Sequence, residues 1–399
     1  MELNEKNLGI TDSINLTSIR AKKKALMLRV GGLGDCLILT PVAKQLHKKG
    51  YSVDYFVGSP TGEVFELISG LPYFNSVKEI SRVGNSIDAV KDEDGHYVSV
   101  EILKKNYDEV FDFKFSVEAN RAGINKTEGW RDTLNSNYMN WVDLSLAWAN
   151  FDWTKISDED KRPELTYNSV VYDEWAEKLV PDNVIGIQLQ ASTLIRTWYK
   201  SGDLPDRIYK EFPDHSVLIF TNGWQLMNKY GTVSIHIPDK LNPLICSAAL
   251  LKRCSIFISA DSGFSHVAEA LNIPTIGIYT TVPAWTRTKY YKYAHSLNTD
   301  VECHPCFELN MFCPIERKNA LDKLTDREKD IIKSSEENIS IFDVARKYST
   351  APRAIEMELQ SARQRLDALS AVEPACVKSI TIDMIINKVH EIIPTLRKL

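Results

Sequence analysis

Two aspartates in this chain stand where chemistry needs a carboxylate. Asp35 closes the run Gly31-Gly32-Leu33-Gly34-Asp35, and Asp261 opens the run Asp261-Ser262-Gly263-Phe264-Ser265-His266. Each run follows an apolar stretch and leads into a helical one. A glycine turn in that position lets backbone approach a ligand closely. The first turn is not a nucleoside-triphosphate loop, which ends in Gly-Lys-Ser/Thr, whereas this one ends in Gly34-Asp35-Cys36. It is also a poor dinucleotide fingerprint, because Leu37 stands where the third glycine belongs. A carboxylate at that place can serve as a general base on the rim of a cleft, or it can cap the helix. Spacing leaves both roles open, and they are compatible.

The second turn has the features of an anion site. The amide groups of a helix beginning near Phe264, and its dipole, favour a diphosphate. Gly263 permits close approach, and His266 on the first turn is expected to point back to the same place. Thr280 and Thr281 end the next strand, "IPTIGIYTT", and are expected to offer hydroxyls there too. A third group is Cys303-x2-Cys306-x6-Cys313, with Cys376 as candidate fourth ligand. Four soft ligands make a closed tetrahedral site for zinc or iron; free thiols in a reducing compartment are the alternative. Cys246 and Cys254 are expected in an apolar helix, as core.

The elements that must hold these residues alternate. "KALMLRV" (24–30), "YSVDYFVG" (51–58), "FNSVKEI" and "YDEVFDF" (107–113) are predicted strands, separated by helical stretches. "TGEVFELISGLP" is predicted as a short helix, and 81–106 and 114–150 as loops and helices. After a polar linker, "SDEDKRPELTYN", the pattern restarts with strands at 183–190, 216–221, 255–260 and 274–280. This order predicts two α/β domains with parallel sheets and a cleft at the carboxyl ends of their strands. The last stretch, "SITIDMIINKVHEIIPTLRKL", is predicted as an amphipathic helix.

The chain has 399 residues, with 44% hydrophobic and 25% charged residues and a net charge of −5. That composition is ordinary for a globular enzyme and gives no global reason for a nucleic-acid partner. Seven cysteines in this length do not make a disulfide scaffold. No stretch approaches the ~18 apolar residues of a membrane span, and the first residues lack an apolar run with a cleavage site. A cytoplasmic location is expected, with peripheral membrane association left open.

Taken together and in order, "GGLGDCLILTPVAKQL", "YDEVFDF", "DSGFSHVAEALNIPTIGIY" and a basic-x-Trp step resemble glycosyltransferase family 9, the ADP-heptose heptosyltransferases. The resemblance covers about residues 24–315 and the final helix. It implies a GT-B fold: two Rossmann-like domains facing across a cleft, here with a small helical insert near the C-terminus. The implied division is 1–165 for the acceptor-side domain, 166–317 plus 373–399 for the nucleotide-sugar domain, and 318–372 for the insert. The resemblance implies inverting transfer without a catalytic metal, with Asp35 deprotonating the acceptor hydroxyl. Gly31, Gly32 and Gly34 would form the acceptor-side loop. Asp261, Ser262, Gly263 and His266 match the donor-site motif. In "TLIRTWY" (193–199), Arg196 stands where the family has a lysine and would neutralise the departing diphosphate, with Trp198 packed beneath. Some family members carry a four-cysteine metal finger before the last helix. That makes Cys303, Cys306, Cys313 and Cys376 a structural iron or zinc site.

Residues 324–369 resemble the helix-turn-helix of sigma-factor region 4 and LuxR-type regulators, with "APRAIEMELQSARQRL" as the recognition helix. Residues 316–371 hold eleven Lys/Arg and eleven Asp/Glu, whereas a DNA-reading surface needs a basic footprint. DNA binding through the insert is therefore conceivable but not favoured over protein docking. The leading expectation is transfer of a sugar, heptose from ADP-heptose, to a hydroxyl on a saccharide or protein. The alternatives are transfer to modified DNA bases and a non-catalytic nucleotide-sugar-binding protein.

Overall fold

The computed structural model describes residues 22–58, 64–83, 87–91, 94–114, 139–198, 202–221, 223–307, 312–371 and 373–396. The expectations for the N-terminal segment 1–21 and for most of 114–150 fall outside these residues.

Two parallel sheets form the frame. The first contains β1 (Lys24–Val30), β2 (Ser52–Gly58), β3 (Phe74–Glu79) and, after the short strands β4 (Ser81–Val83), β5 (Ile87–Lys91) and β6 (Tyr97–Ser99), β7 (Glu109–Asp112). Its order is β3-β2-β1-β7, with every pairing parallel. Leu26, Met27 and Leu28 are all fully buried, as expected of a central parallel strand covered on both faces. The second sheet contains β8 (Val184–Gln188), β9 (Ser216–Phe220), β10 (Trp224–Asn228), β11 (Gly231–Ile235), β12 (Cys254–Ala260), β13 (Thr275–Tyr279) and β14 (Ala294–Asn298). Its order is β11-β10-β9-β8-β12-β13-β14, parallel except at the β9-β10-β11 edge. Two α/β units built on parallel sheets, with a cleft between them, are the GT-B arrangement.

Three local expectations are corrected. Residues 81–83, 87–91 and 97–99 are not irregular: β4-β5-β6 form an antiparallel sheet, whose Val90 packs with Leu26, Leu28 and Phe56 under one face of the first sheet. Its strands are too short to show a period in the sequence. The predicted helix at 61–72 is only the 3-10 turn Val64–Leu67, with 61–63 outside the described residues. Cys254 begins β12 rather than sitting in a helix; it is buried, as are Cys246 and Cys36.

The closing helix, Ile382–Leu396, buries Ile385, Ile386, Val389 and Ile392 as one stripe. That stripe joins Ile256, Ile258, Ile276 and Ile278 of the second sheet. Among the described residues between the sheet and this helix lie the four helices Pro314–Asp322, Asp326–Glu336, Ile341–Lys347 and Pro352–Ser370, and then the short helix Ala375–Ser379. The first four have their own small core, with Ala320, Leu324, Ile332 and Leu366 together. Thr325 and Glu328 close a reciprocal cap, Glu328 accepting from the Thr325 amide at 2.8 Å. Charges here are spent internally: Arg327 donates to Glu358 at 2.8 and 2.9 Å, and Arg365 to Glu328 at 3.1 Å.

Candidate active site

Each glycine turn sits at the carboxyl end of a central strand. β1 ends at Val30, the Gly31 amide donates to Gly58 at 2.8 Å, and the helix Leu33–Leu37 follows. β12 ends at Ala260, and the helix Gly263–Ala270 follows. The two helix starts meet. A Cβ built on Gly34 would lie 2.4 Å from His266 Cδ2 and 3.3 Å from Gly263 Cα; one on Gly263 would lie 2.8 Å from Leu33 Cβ. Both glycines are therefore required by close approach of the two domains, not by backbone conformation.

The meeting point opens into a cavity of about 610 Å³ whose lining includes Gly32, Gly34, Asp35, Trp141, Arg196, Asp261, Ser262, Gly263, His266 and Arg287. Asp35 is placed both to cap the helix and to reach the cavity. Its Oδ2 accepts from the Gly32 amide at 2.8 Å, capping the helix, and the carboxylate still faces the cavity. Its Oδ1 lies 3.2 Å from Arg29 Nη2. Arg29 is buried and held from behind by donating to the Phe113 carbonyl at 2.7 Å and the Lys114 carbonyl at 3.1 Å. Gly31 is not in the lining; a Cβ there would meet Asp35 Oδ2 at 2.9 Å and Arg29 Nε at 3.0 Å.

On the opposite wall, Asp261 is buried between two guanidiniums. Arg196 Nη1 is 3.4 Å from Oδ2, and Arg287 Nε is 3.8 Å from Oδ1. Burial pushes the Asp261 carboxyl upward, but Arg287 and Arg196 outweigh it and hold it below the usual carboxylate range. His266 is buried, and its Nδ1 pairs with the Tyr291 hydroxyl. Burial lowers its pKa to about 4, so the ring is neutral at neutral pH. The Ser262 hydroxyl donates to Gln188 at 2.8 Å and makes no cap bond to the amides of the helix start.

The expected position of Thr280 and Thr281 is corrected. Thr280 and Thr281 do not line this cavity. Thr280 donates to the Ile195 carbonyl at 2.9 Å, and both threonines face a separate, smaller cavity. The strand end was legible, but the side to which its hydroxyls turn was set by packing. Trp198 enters the second core fully buried, and its Nε1 donates to the Ile380 carbonyl at 3.1 Å.

The smaller cavity, about 120 Å³, is lined by Cys303, Cys306, Cys313 and Cys376 with Ile195, Thr280 and Thr281. Burial, and then the nearby thiols of Cys306, Cys313 and Cys303, push the Cys376 thiol up to about 12. The donor chemistry suits a soft metal. Among the described residues, however, no three His, Cys, Asp or Glu side chains are arranged closely enough to hold an ion. The four thiols share a cavity without converging on one point.

Sequence reasoning missed Arg287 and Trp141. Arg287 lies in the short helix Trp285–Thr288, and Trp141 starts the helix Trp141–Trp148. The guanidinium carbon lies 3.0 Å from the centroid of the Trp141 ring. Asn140 fastens the two segments, capping its own helix through Val142 and donating to the carbonyls of Trp285 and Thr286 at 3.0 and 3.3 Å. A lone arginine beside a threonine carries no local pattern that would have found it.

Residues 243–314 match the model of glycosyltransferase family 9 (heptosyltransferase). The matched segment lies in the C-terminal half. The match spans Asp261, His266, Arg287 and three of the four cysteines of the smaller cavity, and supports a glycosyltransferase as the enzyme class. No curated protein matches the chain by sequence. Among solved structures, the chain is similar to E. coli ADP-heptose lipopolysaccharide heptosyltransferase II, at 16% identity over 69% of this chain and 90% of that one, TM-score 0.45. It is similar to the iron-containing dodecameric glycosyltransferase TibC from enterotoxigenic E. coli H10407, at 14% identity over 87% and 77%, TM-score 0.49. The family 9 glycosyl transferase of Veillonella parvula DSM 2008 shows 15% identity over 69% and 85%, TM-score 0.49. Among the described residues no helix is long and apolar enough to cross a membrane.

Proposed function

We propose that this chain is an inverting glycosyltransferase that takes a sugar from a nucleotide-sugar, of the ADP-heptose class, and attaches it to a hydroxyl of a saccharide or protein. The observation that carries the reading is that one cavity is walled by Asp35 on one side and by Arg196, Asp261 and the 263–270 helix start on the other. Asp35 takes the proton of the acceptor hydroxyl as its oxygen bonds to the anomeric carbon. The bond from that carbon to the phosphate oxygen breaks, and its electron pair leaves with the nucleoside diphosphate. Attack from the face opposite the leaving group inverts the anomeric centre. Arg196 and the helix-start amides stabilise the charge that develops on the diphosphate. Neutral His266 helps to shape the pocket without adding charge.

The four cysteines line one cavity and have soft-metal chemistry, but they would hold a structural iron or zinc ion only after their side chains draw together. Ile195 faces their cavity while its neighbour Arg196 faces the cleft.

A thermal-shift panel of nucleotide-sugars tests the donor reading. A ligand at about 100 times its Kd stabilises the folded state by about 2.7 kcal/mol, so one nucleotide-sugar should raise Tm well above its competitors. A panel with no shift, joined to no transfer with any donor, would reject the reading.

A further inference from the structure

We propose that Arg287 is a second diphosphate-binding residue, paired with Arg196 across Asp261 and supported from the other domain by Trp141. The inference rests on the nucleotide-sugar reading of the cleft and adds to it a residue that no motif marks. Arg287 is only 4% exposed yet borders the cavity. Its Nη1 is used by Thr286 Oγ1 at 3.0 Å, and its Nε approaches Asp261, but its Nη2 is buried without an acceptor. A buried charged donor in that state is unfavourable until something accepts from it.

The charge balance points the same way. Arg196 and Arg287 line the cavity with Asp35 and Asp261, the buried Arg29 pairs with Asp35 from behind, and His266 is neutral there. One positive charge is left over. A neutral sugar hydroxyl has no use for it, whereas a diphosphate does. The planar guanidinium can bond phosphate oxygens side-on while keeping its face on an aromatic ring. That face rests on Trp141, which belongs to the first α/β unit, while Arg287 belongs to the second. The pair thus fixes a cation from one domain by a ring from the other, and its alignment depends on how the two domains meet.

The test is calorimetric titration of the full chain with inorganic pyrophosphate, which carries the diphosphate without base or sugar. Wild type should bind it, and Arg287→Met should bind it about tenfold less tightly, the loss expected for one charged hydrogen bond. Arg287→Lys keeps the charge but not the fork, and should lose about threefold. It also serves if the methionine variant fails to fold. Folded variants with affinities within twofold of wild type would overturn the assignment, as would a wild type that does not bind pyrophosphate. If wild type binds pyrophosphate through Arg287 but no nucleotide-sugar, the anion site stands and the donor reading falls.

Discussion

Replacing Gly34 by alanine tests whether the contact between the two glycine turns builds the site. The new methyl carbon would start 2.4 Å from His266 Cδ2 and 2.8 Å from Nε2. Carbon atoms in contact prefer about 3.5–4.0 Å, so something must move by roughly 1 Å. His266 cannot easily yield, because it is buried and tied to Tyr291. The domains must instead separate locally, which carries Asp35 away from Asp261. In the first turn of a helix, alanine should by itself be better than glycine by up to about 1 kcal/mol. Overpacking costs typically about 1–3 kcal/mol, so the net destabilisation should be only about 1 kcal/mol. The effect on chemistry should be larger, because a displacement of about 1 Å can cost roughly a hundredfold in rate. The assay is steady-state transfer from the donor found by thermal shift, alongside Tm. The expected pattern is a Tm within a few degrees of wild type and kcat reduced about a hundredfold. Gly34→Ala with wild-type kcat would refute the reasoning.

Asp35→Ala should nearly abolish transfer while nucleotide binding persists, with a loss of about 1 kcal/mol from the missing cap; normal turnover would defeat the base assignment. His266 gives a pH dependence of stability. Its folded pKa of about 4 lies below the ordinary 6.5, so the unfolded chain binds the extra proton first. The stabilising contribution is therefore complete above pH 6.5 and is lost as pH falls toward 4, up to about 3 kcal/mol in all. His266→Gln should flatten that part of the urea-melting profile against pH, and an unchanged slope would show that another group is responsible. Elemental analysis should find about one iron or zinc per chain (four cysteine ligands, one closed site), and Cys376→Ser should lower that content together with Tm. Well-folded protein free of both metals would remove the metal from the account.

Much of the site was visible in the sequence because its chemistry sits on local patterns. Apolar strand, glycine turn and helix start are contiguous, so Asp35 and the Asp261–His266 run could be found without knowing what faced them. The two α/β units were legible for the same reason: buried parallel strands such as Leu26–Leu28 are short apolar runs bounded by polar turns. The antiparallel additions were not. β4 to β6 and the β10-β11 edge are brief and mixed in polarity; the first three gain stability by packing under the first sheet and the last two by pairing onto the edge of the second.

The sequence by itself determined which residues end the central strands, and hence that a carboxylate and a glycine-led helix start would each stand at a strand's carboxyl end. Only the tertiary structure decided that Gly34 and Gly263 touch, that Arg287 rests on Trp141 beside Asp261, and that Thr280 and Thr281 turn toward the cysteines instead of the cleft. The physical reason is range. Turn and helix preferences act over a few neighbouring residues, whereas a side chain's final partners depend on how two separate sheets pack against each other.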